Sequence, residues 1–380
     1  MTLNRIPALF MRGGTSKALV FLARDLPAEQ VERDRIFLAA MGTPDPNGRQ
    51  LDGMGGGISS LSKVCILGRA SREDADIDYT FAQIGVGRAE VDYAGNCGNM
   101  SSAMGPAALE LGLVPPPAGP EAAVRLHNTN TGKIIVARFP VRDGLLDPEG
   151  DFAIDGVAGQ AAPIRLEFLE PGGAKTGRLL PTGHAVDDLS LPDGTTIRAS
   201  LVDAANPCVF VAAADMDKTG AEGPDDLVGD AAFMDRMEAI RRAGSVLMGL
   251  TPDIEAAAAM PSLPKVAMVA PAADSVTLSG AVIPAGEMSL LVRMISMEQP
   301  HRAVPITGAI CLAAATRVTG SVPQMAVTEQ AGAVVVGHPS GTTVVDAEIT
   351  QADGMAFAKS ATIYRTARTL FAGEVRFRLS

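Results

Sequence analysis

The sequence predicts an α+β fold made of two similar β-rich halves, each wrapped around one buried helix. Three observations predict it. Apolar runs bounded by turn residues fill most of the chain and read as strands. Two helix-like runs, "GNMSSAMGPAALELGL" and "PITGAICLAAATRVTGSV", are the least charged of their kind, and a helix apolar on nearly all sides is a buried one. Strands and helices do not alternate at βαβ spacing, which disfavours a dinucleotide-binding sheet.

The elements follow in order. "IPALFM" and "ALVFLA" read as strands around the turn "RGGTSK". "PAEQVERDRIFLAAMG" has Pro near its start, acids in its first turn and Gly at its end, which are helix boundary signals. "KVCIL", "IDYTFAQIGV" and "AEVDYA" read as strands, and "VRLHNTNTGKIIVARFPV" as two strands and a turn. The first buried helix is predicted over 98–113. Later strands are "TIRASLVDAA", "CVFVAA", "KVAMVAP", "MSLLVRMISM", "AVVVGHPSGTTVVDAEI" and "AKSATIYRTAR". "AAFMDRMEAIRRAGSVLMG" reads as an amphipathic helix, and the second buried helix is predicted over 305–318. Each buried run opens on Gly or Pro with a hydroxyl or amide residue, which is helix-start chemistry.

The 380 residues are enough for two ordinary cores. We expect an N-terminal half over 1–185 and a C-terminal half over 186–380, with the last strand free to return to the first half and the active site in the cleft between them. The formal charge is -11 and no Lys/Arg cluster exists, which argues against a nucleic-acid partner. An anionic ligand must then be attracted by local groups. No signal peptide is legible, and no run of ~20 apolar residues suggests a membrane span. The four cysteines lack CxxC spacing, which fits a reducing cytoplasm and suggests neither a zinc site nor a redox dithiol. Cys65, Cys208 and Cys311 sit in apolar runs and read as small core residues, whereas Cys97 lies in the polar "GNCGN".

"DGMGGGISSLSKV" faintly resembles a phosphate loop, but Lys63 stands between Ser62 and Val64 and not between Gly and Ser/Thr. The stretch "RGGTSKA" fails the same test at Lys17. Lys63 has two readings. It is either an exposed lysine at a strand start or a partly desolvated amine able to act as a base. Cys97 also has two: an inert buried thiol, or a thiol at a helix mouth whose N–H groups favour an anion. There Asn96 and Asn99 supply amides, while Gly95 and Gly98 allow close approach. His301, just before the second buried helix, suits anion donation or proton transfer. His338 reads as a turn residue, and Arg365 and Arg368 as surface or strand-edge arginines.

The motifs "MRGGTSK", "DGMGG…SK", "DY.GNCGN", "HNTNTGK", "PTG", "ANPCVFV", "TGA" and "GHPSG" occur in the order found in the PrpF-type isomerases, which the chain resembles over essentially its whole length. "HNTNTGK" and "ANPC" look most like the methylitaconate Δ-isomerase branch. The resemblance implies the diaminopimelate-epimerase-like fold, with two pseudo-symmetric β-barrel-like halves around central helices. It also implies cofactor-independent proton transfer beside a carboxylate, with Lys63 and Cys97 as the catalytic residues; no Cys/His cluster has the spacing of metal ligands. Two departures stand out. The family's two-cysteine epimerase relatives carry a second cysteine at the head of the second helix. Here that place falls near Pro305, and Cys311 is too deep in the run. Ala18 also replaces a frequent Gly in the first motif.

The expected substrate is a small unsaturated di- or tricarboxylate held at the two helix N-termini, in a chain with a homodimer among its expected assemblies. Candidate contacts are Arg12, Thr15, Ser16 and Lys17 of the first turn and Ser60 and Ser62 of the Gly-rich loop. Asn96, Gly98, Asn99 and Met100 are candidates at the first helix, and His301, Thr307 and Gly308 at the second. Lys63 would remove an allylic proton and return it elsewhere, with Cys97 as second carrier or pocket wall. The alternatives are a two-base amino-acid epimerase and a non-catalytic carboxylate-binding protein on the same scaffold.

Overall fold

The computed structural model describes residues 3–93, 96–296, 299–328, 332–352 and 354–379. Two compact units result: residues 1–168 with 364–380, and residues 169–363.

In the first unit, strand Asn4–Gly13 turns back as Ser16–Leu22, and its other edge pairs with Ala367–Phe377. Lys63–Arg69 runs parallel to Ser16–Leu22, and Ile77–Ile84 antiparallel to Lys63–Arg69. Glu121–Asn128 runs parallel to Ile77–Ile84, followed by Lys133–Arg142 and Ile164–Leu169. Each parallel pair needs a crossover. Helix Gln30–Met41 supplies the first and helix Gly98–Glu110 the second.

The two helices cover different faces. Gln30–Met41 brings Ile36, Phe37, Ala40 and Met41 onto Leu19, Phe21, Val64, Ile66, Ala82 and Ile84. Phe21 and Phe37 stack with centroids 5.7 Å apart. Each large side chain buried there contributes about 1.5–3 kcal/mol. Gly98–Glu110 is touched by strands from both ends of the unit, and its residues from Met100 to Leu109 are all buried. That crowding explains the small side chains: a Cβ on Gly105 would stand 2.8 Å from Phe139 Cε1 and 2.9 Å from Ala137 Cβ.

The second unit repeats this order. Hairpin Thr196–Ala204 and Asn206–Ala212 is followed by helix Ala231–Leu247, then by Lys265–Pro271 parallel to Asn206–Ala212. Leu290–Ser296 runs antiparallel to Lys265–Pro271, and helix Ile306–Thr316 leads to Val334–His338, parallel to Leu290–Ser296. Gly341–Ala352 and Met355–Arg365 extend the sheet on one side and Asp187–Ser190 on the other. Gly308 to Thr316 are all buried. The helices expected over 98–113 and 305–318 are thus Gly98–Glu110 and Ile306–Thr316. Residues 169–185, read with the first half, hydrogen-bond inside the second unit. There the Asp203 carboxylate accepts from the N–H groups of Lys175 and Thr176 at 2.8 and 2.7 Å.

Candidate active site

Strand parity decides what Lys63 faces. Val64 and Ile66 enter the core beneath Gln30–Met41, so Lys63 and Cys65 project from the other face. Register places Ala18 beside Lys63 on one neighbour and Gln83 beside it on the other, with Phe81 opposite Cys65. Lys63 is buried, at 7% exposure. Its ammonium donates to Gln83 Oε1 and lies 5.2 Å from the centre of the Phe81 ring. The described residues give it no carboxylate partner. The reading of an exposed strand-start lysine is therefore set aside.

Cys97 is the N-cap of Gly98–Glu110, and its carbonyl accepts from the Ser101 N–H at 2.9 Å. The N–H groups of Gly98, Asn99 and Met100 precede that first helical bond, so the helix has no acceptor for them. Cys97 Sγ lies 4.0 Å from Ser16 Oγ. Burial pushes the neighbouring Cys65 thiol far up, so Cys65 stays a neutral core residue.

The hairpin "RGGTSK" sits against this mouth. Gly14 has φ +52°, and a Cβ there would fall 2.2 Å from Asn99 Oδ1; on Gly13 it would fall 2.6 Å from the Asn99 carbonyl. Only glycines let the turn approach so closely. Asn99 Nδ2 then donates to Thr15 Oγ1 at 3.1 Å, and Arg365 Nε donates to Asn99 Oδ1 at 3.2 Å. Arg365 Nη1 donates to the Tyr364 carbonyl at 2.8 Å. Burial alone lowers the Arg365 guanidinium to about 10. Among the described residues it pairs with no carboxylate. Arg365 is thus a half-buried group at the helix mouth and not the surface arginine expected.

Other candidates are placed differently. Lys17 projects with Leu19 and Phe21 from the face opposite Lys63, its ammonium 5.6 Å from the Phe10 ring centre. Arg12 Nη1 is engaged by the Gly14 and Thr366 carbonyls at 3.0 Å and by Thr366 Oγ1 at 2.9 Å, which makes it a staple for the turn. Ser62 is fully buried, its Oγ 2.6 Å from Gln50 Oε1 and 2.9 Å from the Ile58 carbonyl, so it locks the Gly-rich loop. Ser60 is half-buried in that loop. The Met100 side chain is in the core, leaving only its N–H at the mouth. Asn96 Nδ2 donates to Ser101 Oγ at 3.5 Å, and its buried Oδ1 has no partner among the described residues. Gly95 lies outside the described residues.

In the second unit, Pro305 caps Ile306–Thr316, and Thr307 and Gly308 form its first turn. His301 N–H donates to the Met294 carbonyl at 2.8 Å. Burial and then Lys265 lower the His301 ring to about 4, so near neutral pH it offers an uncharged N–H. Cys311 lies inside the helix, its Sγ 3.2 Å from the Val202 carbonyl, and burial raises it well above the usual thiol range. No thiol stands at this mouth. Sequence reasoning missed Lys265, which opens its strand beside Cys208 as Lys63 opens its own beside Ala18. The repeated "KV" at both strand starts was the available signal. It also missed Gln83 and read Arg365 as a surface or strand-edge arginine. Among the described residues, no three His, Cys, Asp or Glu side chains gather as a metal site.

The chain is 40% identical to 2-methyl-aconitate isomerase of Cupriavidus necator, over 98% of this chain and 97% of that one. It is 40% identical to 3-methylitaconate isomerase of Eubacterium barkeri, over 98% and 97%. The crystal structure of methylitaconate-delta-isomerase matches it with a TM-score of 0.91 at 38% identity, covering 99% of this chain and 96% of that one. Fold and relatives define an isomerase with the diaminopimelate-epimerase-like fold. A family profile described as "PrpF protein" matches residues 3–378, and the chain belongs to the PrpF family.

Proposed function

We propose that the protein isomerises a small unsaturated di- or tricarboxylate by moving one proton and one double bond, with 2-methylaconitate and methylitaconate as first candidates. The observation that carries this reading is a buried lysine with no carboxylate partner among the described residues, on the sheet face that meets a thiol-capped helix mouth. A carboxylate at that mouth would accept from the N–H groups of Gly98, Asn99 and Met100, helped by Arg365. Lys63 removes a proton from the allylic carbon. The charge spreads into the conjugated carboxylate as an enolate-like anion, and the same donors hold it. Lys63 returns the proton at the far end of the allyl system, or at the original carbon after rotation. Cys97 either carries a proton or walls the pocket. The cap Pro305, with Cys311 buried beyond it, argues against a symmetric two-thiol racemase.

A cytoplasmic location is part of the same proposal, and four cysteines without CxxC spacing, Cys65, Cys97, Cys208 and Cys311, fit it. No helix among the described residues is long and apolar enough to cross a membrane. The test is a panel of unsaturated polycarboxylates incubated in deuterated water. Isomerisation with label at a γ or methyl position is expected. Label at the α-carbon of an amino acid, or binding without exchange, would replace this reading with one of its alternatives.

A further inference from the structure

Lys63 is held by a neutral group whose own orientation is fixed. Gln83 Oε1 accepts from the lysine. Its Nε2 donates to the carbonyls of Ser59 and Ser62, each at 3.0 Å, and to that of Ile84 at 3.3 Å. Turning the amide over would press its N–H groups against the ammonium and leave an oxygen facing carbonyl oxygens. The Ser62 carbonyl also accepts the Ile84 N–H at 3.0 Å, and Ser62 Oγ is tied to Gln50. The loop that ends at Lys63 therefore aims Gln83, and Gln83 aims Lys63.

The charge of this partner matters as much as its position. A buried lysine is most simply stabilised by a carboxylate, which locks it as an ammonium. Among the described residues, the titratable groups around Lys63 and Gln83 are Cys65 on the lysine's own strand, Tyr79 on the antiparallel strand, Cys97 at the helix cap and the exposed Asp92, which strand Val91–Asp92 sets beside Gln83. The parallel strand presents Ser16 and Ala18 there, and the loop presents serines. The one carboxylate among them, Asp92, is beside Gln83 and not beside Lys63, and the lysine's hydrogen bond goes to the carboxamide. A carboxamide oxygen can accept from an amine or an ammonium, and being uncharged it favours the ammonium far less than a carboxylate would. We propose that Gln83 is the positioning residue for Lys63, fixing the nitrogen in place while leaving it free to gain and lose a proton. The catalytic part of this inference rests on the proton-transfer role given to Lys63 above.

Two variants test it, each checked for native thermal melting. Gln83→Met should lower kcat about tenfold or more with little change in KM, the loss expected when a base is misdirected. Gln83→Glu keeps the shape and adds the charge. It should move the lysine-dependent limb of the pH–rate profile to higher pH by about one unit or more, the effect of an adjacent opposite charge. The amine is read directly in protein carrying [ε-13C]lysine, with the Lys63 resonance assigned by its loss in Lys63→Met. Its titration should shift upward in Gln83→Glu by the same amount. Superposition of the Gln83→Glu titration on wild type, or wild-type kcat in Gln83→Met, would overturn the inference. If no acid in the panel is turned over, the functional reading fails, while the lysine titration still decides whether Gln83 governs Lys63.

Discussion

Lys63 and Cys97 differ in what remains when each is removed. Without the Lys63 amine, no other lysine among the described residues projects from that face of the sheet beside it, and a general base is typically worth ~10²–10⁴-fold. Lys63→Met should therefore lose at least about that factor in kcat, with the fold kept by circular dichroism. Cys97→Ala leaves the helix-end N–H groups in place and should retain measurable turnover. A dead Cys97→Ala beside an active Lys63→Met would reverse the two roles. Arg365 calls for a different measurement. A hydrogen bond to a charged group contributes about 1.5–3 kcal/mol. Arg365→Met should accordingly raise KM about 10–100-fold for the best dicarboxylate while changing kcat less. An unchanged KM would remove Arg365 from the recognition of substrate.

At the scale of elements, the turn and the helix form one device. The left-handed backbone of Gly14 costs an L-residue roughly 1–2 kcal/mol, and its added methyl would displace the Asn99 side chain. Gly14→Ala should therefore lower stability by about 1–2 kcal/mol in urea unfolding and also raise KM. A variant that loses stability with unaltered KM would uncouple the turn from recognition. This level also shows what was legible from the chain. The two central helices were, because an uncharged helix has only one place to go. Lys63 and Cys97 were, because a polar Gly-rich loop beside an apolar strand is uncommon chemistry. Gln83 was not, because a glutamine in an alternating strand is ordinary until register sets it beside Lys63. Lys17 was misplaced because one residue of pleat separates the two faces. Arg365 was misread because only the last part of the fold brings it to Asn99, far earlier in the chain. The strands Ile164–Leu169 and Asp187–Ser190 went unread because they are short and each carries two charged residues.

For the whole molecule, the important pairing joins the two ends. Ala367–Phe377 lies along all of Asn4–Gly13, and it sends Val375 and Phe377 into the core beneath Gln30–Met41. Deleting 367–380 should leave the first unit without an edge strand and without part of its core. Protease should then cut within 1–168 while 169–363 survives, as followed by mass spectrometry. Equal resistance of both units would show that the terminal strand is dispensable.

That pairing also sets an order on the ribosome. Residues 169–363 are contiguous and need nothing from the tail, so the second unit can close as soon as its own strands are out, as domains generally fold as units. The first unit emerges earlier yet cannot close until Ala367–Phe377 leaves the exit tunnel. Throughout elongation, strand Asn4–Gly13 must keep one edge open, with an unpaired row of N–H and C=O groups available to other chains. The half of the molecule made first is thus completed only by Ala367–Phe377, and a message truncated before that strand would leave it exposed longest.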